Sequence, residues 1–279
     1  MALAAPDARA IVRAVREVAA AEIIPRFRNL GDGEVAAKAG FDDLVTIADR
    51  GAETALTARI HDILPGHAVV GEEAVAADPR VLDRVGEDRV VVIDPIDGTW
   101  NFAHGVANFG VIVAVIEEGE SVWGCLYDPT FDDWIEAHRG GGAFLHRAAG
   151  SRRLRVSPRD VPFDRLRGNV GEYFFPPAGR RGLAATIPLF RRTASLGASL
   201  HEYRLLALGG SDFVLNGLLN VWDHAAGVLI LQEAGGVARL LDGRDYAPTM
   251  REGSLLSART EALWSRLADT FTAALDRAE

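Results

Sequence analysis

The stretch DPIDGTWNF at 94–102 follows the apolar run RVVVI and puts two carboxylates, Asp94 and Asp97, three residues apart on what reads as a tight turn. Two acids that close repel unless a cation lies between them. Asp, Pro and Gly also favour turns for local reasons, so the pair alone has an ordinary explanation. Gly98 and Thr99 add a second feature, because their backbone N–H groups at a helix start would seat a phosphate. Carboxylates beside an anion seat imply a metal ion.

Two more acidic groups fit the same site. Gly71-Glu72-Glu73 follows a short apolar piece at Ala68–Val70, and WDHAAG at 222–227 opens a helix with Asp223 near its first turn. Alone, the first is more often a solvated turn and the second a cap. Their force comes from standing together with the nine-residue stretch in one chain.

The elements that must carry these residues are legible from periodicity. Arg89–Ile93 is a continuous β-branched run, expected as a buried strand whose carboxyl end delivers Asp94. Phe109–Ile116 with Ser121–Tyr127, and Trp134–Ala137 with Ala143–Leu145, read as consecutive hairpins and favour a largely antiparallel sheet. Ile11, Val15, Val18 and Ile23 recur at helical spacing, and 44–64 also reads as a helix. Residues 147–152, RAAGSR, are a candidate loop boundary. Beyond it we expect strands at 154–156, near 166–170, at 212–215 and at 236–241. Helices are expected at 199–208, 223–233 and 261–277, with a Pro/Gly/Arg loop over FFPPAGRRG between them.

Composition excludes other classes. With 279 residues, 48% apolar and 25% charged, the chain has room for about two domains and is neither disordered nor a disulfide scaffold. Its one cysteine, Cys125, reads as a buried structural thiol and suits a reducing, cytoplasmic setting. The net charge of −9, with no basic run, argues against a nucleic-acid partner. No stretch near the N-terminus is apolar enough for a signal peptide or a membrane span, so no membrane association is expected.

These residues resemble the inositol monophosphatase family of magnesium-dependent, lithium-sensitive phosphatases. The likeness spans most of the chain: KAGFDDLVTIADRGAE at 38–53, GEE at 71–73, DPIDGTWNF at 94–102, Gly197-Ala198-Ser199, WDHAAG at 222–227 and EAGG at 233–236. It implies an α/β (α+β) fold, the layered αβαβα sandwich of the inositol monophosphatase and fructose-1,6-bisphosphatase type. An N-terminal part, 1–150, would carry most metal ligands, and a C-terminal part, 151–279, the substrate-binding residues and Asp223.

The resemblance further implies that Glu72, Asp94 and the Ile96 carbonyl hold one Mg2+, while Asp94, Asp97 and Asp223 hold a second. A third, weaker ion is expected near Glu72. These are hard oxygen donors of the kind Mg2+ prefers. Four ionised carboxylates are cancelled by two divalent ions, and a third leaves a positive site for a phosphate dianion. Glu72 and Thr99 would stand beside the attacking water, Asp49 would accept from the Thr99 hydroxyl, and the N–H groups of Gly98 and Thr99 would hold phosphate. Gly197, Ala198, Ser199, Asn216 and Asp223 complete the implied substrate wall.

The family's sugar-binding glutamate, seven residues before the WD aspartate, is Asn216 here, which donates as well as accepts and carries no charge. Arg180 and Arg181 are candidates for a second charged group on the substrate, against an ordinary solvated loop. His201, Glu202, Tyr203 and Arg204 are candidates for the pocket edge, against helix packing. His224 suits magnesium poorly. The expected activity is hydrolysis of a small phosphorylated metabolite, inositol 1-phosphate first, by a homodimer. Histidinol phosphate, fructose 1,6-bisphosphate or a nucleotide 3'-phosphate are alternatives in the same chemistry. A regulatory partner of the transcription machinery is the alternative of another class.

Overall fold

Val90–Ile93 carries no polar alternation because both faces of its strand are covered: Val90 and Val92 enter one apolar cluster, Val91 and Ile93 another. The computed structural model describes residues 3–38, 40 and 43–277. Residues 39, 41 and 42 of the 38–53 stretch therefore lie outside the described residues.

In chain order the first half holds α1 (Ala5–Val18), β1 (Val35–Ala37), β2 (Leu44–Thr46), α2 (Ile47–Ile63), β3 (Ala68–Gly71), α3 (Glu72–Ala77), β4 (Arg89–Asp97) and α4 (Thr99–Ala103). Five strands follow: β5 (Gly110–Glu117), β6 (Glu120–Asp128), β7 (Asp133–His138), β8 (Gly142–Arg147) and β9 (Gly150–Arg153). The second half holds β10 (Arg167–Val170), α5 (Pro177–Thr186), β11 (Arg192–Ala194), α6 (Ser199–Ala207), β12 (Phe213–Asn216), α7 (Val221–Glu233), β13 (Val237–Leu240), β14 (Leu255–Ala258) and α8 (Glu261–Asp276).

Strands β3 to β9 form a seven-stranded sheet in sequence order, antiparallel except for the parallel β3–β4 pair. A five-stranded mixed sheet has the order β11-β10-β12-β14-β13. Three apolar clusters join five layers. One packs α1 and α2 on the larger sheet, the second places α6 and α7 between the two sheets, and the third packs α5 and α8 on the outside of the smaller sheet. The fold is thus the expected αβαβα sandwich.

Several local expectations are corrected. Leu44–Thr46 is a strand paired antiparallel with β1, and the helix starts at Ile47 behind a Thr46–Asp49 capping box. The expected loop at 147–152 contains β9, paired with β8, while Leu154–Val156 runs outside any named strand and donates to Ala143 and Ala234 carbonyls. FFPPAGRRG is not a loop: Pro177 sits at the start of α5, where a missing N–H costs nothing. Cys125 is buried in β6, as expected.

Candidate active site

Asp94 and Asp97 stand at odd spacing, which on a regular strand would point them to opposite faces. The β4–β5 register shifts between these two residues, and that irregularity re-aims them. The Ile96 N–H donates to Asp94 Oδ1 at 3.1 Å, closing the turn on the carboxylate itself. Gly98 then adopts φ 85° and starts α4. A Cβ there would lie 2.8 Å from the Asn108 carbonyl and 3.0 Å from Ala198, so both backbone freedom and close packing require glycine.

Asp223 comes from the other half of the chain, in the first turn of α7, where the helix end favours a carboxylate. Oxygens of Asp94, Asp97 and Asp223 lie within 4.8 Å of one another. They open on a cavity of about 1270 Å³, which Glu72, Ile96, Gly98 and Thr99 also line. Burial is the largest cause pushing Asp94 and Asp97 well above the usual carboxylate range, and the neighbouring acids add to it. Burial likewise raises Asp223 and pushes Glu72 up to about 8, with Lys38 opposing the latter. Crowded carboxylates, Asp94 and Asp97 buried and Glu72 and Asp223 half-buried, with oxygen donors only, fit a divalent cation. The residues that would hold it are Glu72, Asp94, Asp97 and Asp223, with the Ile96 carbonyl beside them.

Thr99 Oγ1 lies 3.0 Å from both Asp49 Oδ1 and the Ile96 carbonyl, so its single proton serves one acceptor at a time. Asp49 Oδ2 accepts from the Thr46 N–H and hydroxyl, which fixes the Asp49 ring of contacts at the start of α2. Burial pushes Asp49 up to about 6, against the Thr46 hydrogen bonds.

Gly197, Ala198 and Ser199 do not line the cavity; they back it. The Ser199 and Leu200 N–H groups donate to Asp97, and Asn101 Nδ2 lies within 3.1 Å of the Asn108, Leu196 and Gly197 carbonyls. Asn216 is buried at the end of β12 and does not line the cavity. His201, Glu202, Tyr203 and Arg204 do not edge this cavity either. Glu202 accepts from the Leu196 N–H at 3.0 Å, His201 bonds the Phe109 carbonyl, and Arg204 pairs with Asp133. His224 turns away from the acids, its Nε2–H donating to the Leu218 carbonyl while Nδ1 accepts from Tyr203.

Sequence reasoning missed Lys38, whose ammonium lies 2.6 Å from Glu72 and 3.0 Å from Glu73, and Glu53, which holds the start of α3. Both belong to the 38–53 stretch, so that stretch was the available signal.

The model of the inositol monophosphatase family matches residues 5–277. The chain belongs to that family. Its family is one of metal-dependent phosphatases, which fits the acidic cluster. Among its relatives, the fructose-1,6-bisphosphatase/inositol-1-monophosphatase of Thermotoga maritima is 32% identical over 210 residues, 75% of each chain. The Nus factor SuhB of Pseudomonas aeruginosa is 36% identical over 206 residues, 70% of this chain and 71% of that one. A solved IMPase of Thermotoga maritima superposes with a TM-score of 0.81 at 25% identity, covering 96% of this chain and 97% of its own. Among the described residues of this family member, no helix is long and apolar enough to cross a membrane.

Proposed function

We propose that the protein hydrolyses a small phosphomonoester, inositol 1-phosphate first among them, with two or three Mg2+ ions held by Glu72, Asp94, Ile96, Asp97 and Asp223. The observation that carries this reading is the convergence of Asp94, Asp97 and Asp223 oxygens within 4.8 Å on a cavity that Glu72 shares. Bound magnesium supplies the positive charge a phosphate dianion needs and makes water more acidic. Gly98 and Thr99 present backbone N–H groups to the phosphate. Glu72 and the Thr99 hydroxyl stand beside the attacking water, and Asp49 takes the Thr99 proton as the hydroxyl accepts one from water. Ser199 acts from behind, its N–H holding Asp97 together with that of Leu200, while Gly197 and Ala198 pack against the Gly98 turn.

The test is phosphate release with Mg2+ from a panel of inositol phosphates, histidinol phosphate, fructose 1,6-bisphosphate and a nucleotide 3'-phosphate. Release from none of them overturns the reading. Lithium inhibition and a homodimer belong to the same proposal; Phe131, Leu205 and Leu208, apolar side chains exposed around one shallow cavity, are a surface a second copy would cover. A regulatory role has the name of the Pseudomonas aeruginosa relative in its favour. Asp97→Asn separates the two, since a scaffold keeps its partner and a phosphatase loses turnover.

A further inference from the structure

The fold treats the two neighbouring arginines of α5 differently: Arg180 lines the acidic cavity and Arg181 does not. Arg180 is held in place, with Nε donating to the Phe175 carbonyl at 2.9 Å and Nη2 to the Tyr173 carbonyl. Those carbonyls fix the guanidinium without neutralising it. Among the described residues no carboxylate pairs with Arg180, and Nη1 has no protein acceptor. The cavity's ammonium, Lys38, is by contrast already taken by Glu72 and Glu73.

Around Arg180 the wall is aromatic and apolar. Tyr173 and Phe174 lie with ring centroids 4.1 Å apart and planes tilted by 39°, and Leu218 and Trp222 also line the cavity. The wall belongs to segments that follow the carboxyl ends of β10 and β12, whereas Asp94 and Asp97 come from β4. A preorganised guanidinium with a free N–H, facing a cavity in which acids outnumber bases, is a donor to an anion rather than part of a salt bridge.

We propose that Arg180 is a specificity-determining residue that binds a second anionic group, carboxylate or phosphate, on the alcohol half of the phosphomonoester. The proposal rests on the phosphatase reading and adds a substrate class to it: esters with two negative groups. Bulk electrostatics would disfavour such esters in a chain of net charge −9, so a preference for them reports a built subsite.

The experiment compares kcat/KM, with Mg2+, for two matched pairs: glycerol 2-phosphate against 2-phosphoglycerate, and fructose 1-phosphate against fructose 1,6-bisphosphate. The first pair adds a carboxylate and the second a phosphate. The wild-type protein is expected to favour the doubly charged member by about tenfold, the gain of one charge-assisted hydrogen-bonded contact. Arg180→Gln brings the ratio to about one by raising KM for the doubly charged ester, and Arg180→Lys restores part of it. Arg50→Gln is the control, because Arg50 lines the same cavity with the same charge but has no side-chain hydrogen bond among the described residues; it leaves the ratio in place. A wild-type ratio of one or less, or an equal fall in Arg50→Gln, overturns the proposal even if the variants at 180 fold poorly. Hydrolysis of all four esters with equal efficiency keeps the phosphatase and removes the subsite. Hydrolysis of none removes both.

Discussion

The Glu53 carboxylate accepts the backbone N–H groups of Glu73 and Ala74 at 2.8 Å each, and its Cδ lies only 2.2 Å from where a Cβ on residue 71 would be. An acid in the middle of α2 thus caps α3 from outside, and the close approach leaves room only for Gly71. Glu72 is the residue launched between them. Glu53→Gln would turn one acceptor into an amide that faces a backbone N–H, tilting the helix start. Mg2+ affinity, read by calorimetry without substrate, is expected to fall by about 10-fold or more, as for other changes behind a metal ligand. Gly71→Ala displaces the same carboxylate, so the double variant is expected to be little worse than either single one.

Asp97 holds two roles at once. One is the shared acidic cluster; the other is the pair of N–H groups at the start of α6 that point at its oxygens. Asp97→Asn keeps one acceptor for α6 and removes one charge from the cluster. The expected outcome is a folded protein whose melting temperature no longer rises with added Mg2+, whereas the unsubstituted protein gains stability as RT ln(1 + [L]/Kd). Turnover is expected to drop by on the order of 10³ or more. A variant that still shows the full Mg2+-dependent rise would remove Asp97 from the metal site.

What could be read beforehand follows from range. DPIDGTWNF, GEE and WDHAAG declare themselves by residue type within a few positions, and the hairpins from β5 to β8 by apolar runs and the turns between them. Lys38 and Glu53 stand in the 38–53 stretch that was legible, but their individual roles were not, because those roles are contacts made 34 and 20 residues away. Leu255–Ala258 was missed because four residues of an interior strand carry no period, and Leu44–Thr46 because its short pairing with β1 overrides an apolar pattern continuous with α2. The wrong loop at FFPPAGRRG came from counting Pro177 as a breaker when it opens a helix. Arg180 could be named from sequence, but only the helix separates it from Arg181.

Thr99 joins an acid of α2 to the backbone of the acidic motif. Its hydroxyl stands 3.0 Å from Asp49, which is held by Thr46, and 3.0 Å from the carbonyl of Ile96 inside the acidic motif. Thr99→Val keeps the shape and removes the hydroxyl. A drop in kcat of about 10² to 10⁴, with Mg2+ affinity unchanged, is expected for a lost proton-transfer group, and Thr99→Ser should recover most of it. Equal losses in metal affinity would instead make Thr99 a support of the Ile96 carbonyl. Because burial pushes Asp49 up to about 6, the activity of the intact protein should rise with pH through that region as the acceptor ionises.

The acidic cluster also sets how stability depends on pH without metal. Glu72 is pushed from an ordinary 4.5 to about 8, chiefly by burial, and Asp94, Asp97 and Asp223 shift in the same direction. A carboxyl group whose value is higher in the folded protein binds more protons there than in the unfolded chain. Stability therefore falls as pH rises between the two values, because protons must leave or like charges must be confined together. In EDTA, the melting temperature is expected to decline from about pH 5 to about pH 8. Saturating Mg2+ replaces the protons with a cation and should flatten or reverse that slope, while its own affinity grows with pH over the same window. Lys38 is raised in the folded state by Glu72 and Glu73, so its contribution is complete below its ordinary 10.5 and does not disturb this range. Thermal melts across that range, with and without Mg2+, measure both slopes; a metal-free protein that grows more stable from pH 5 to pH 8 would mean the four carboxylates are not crowded together.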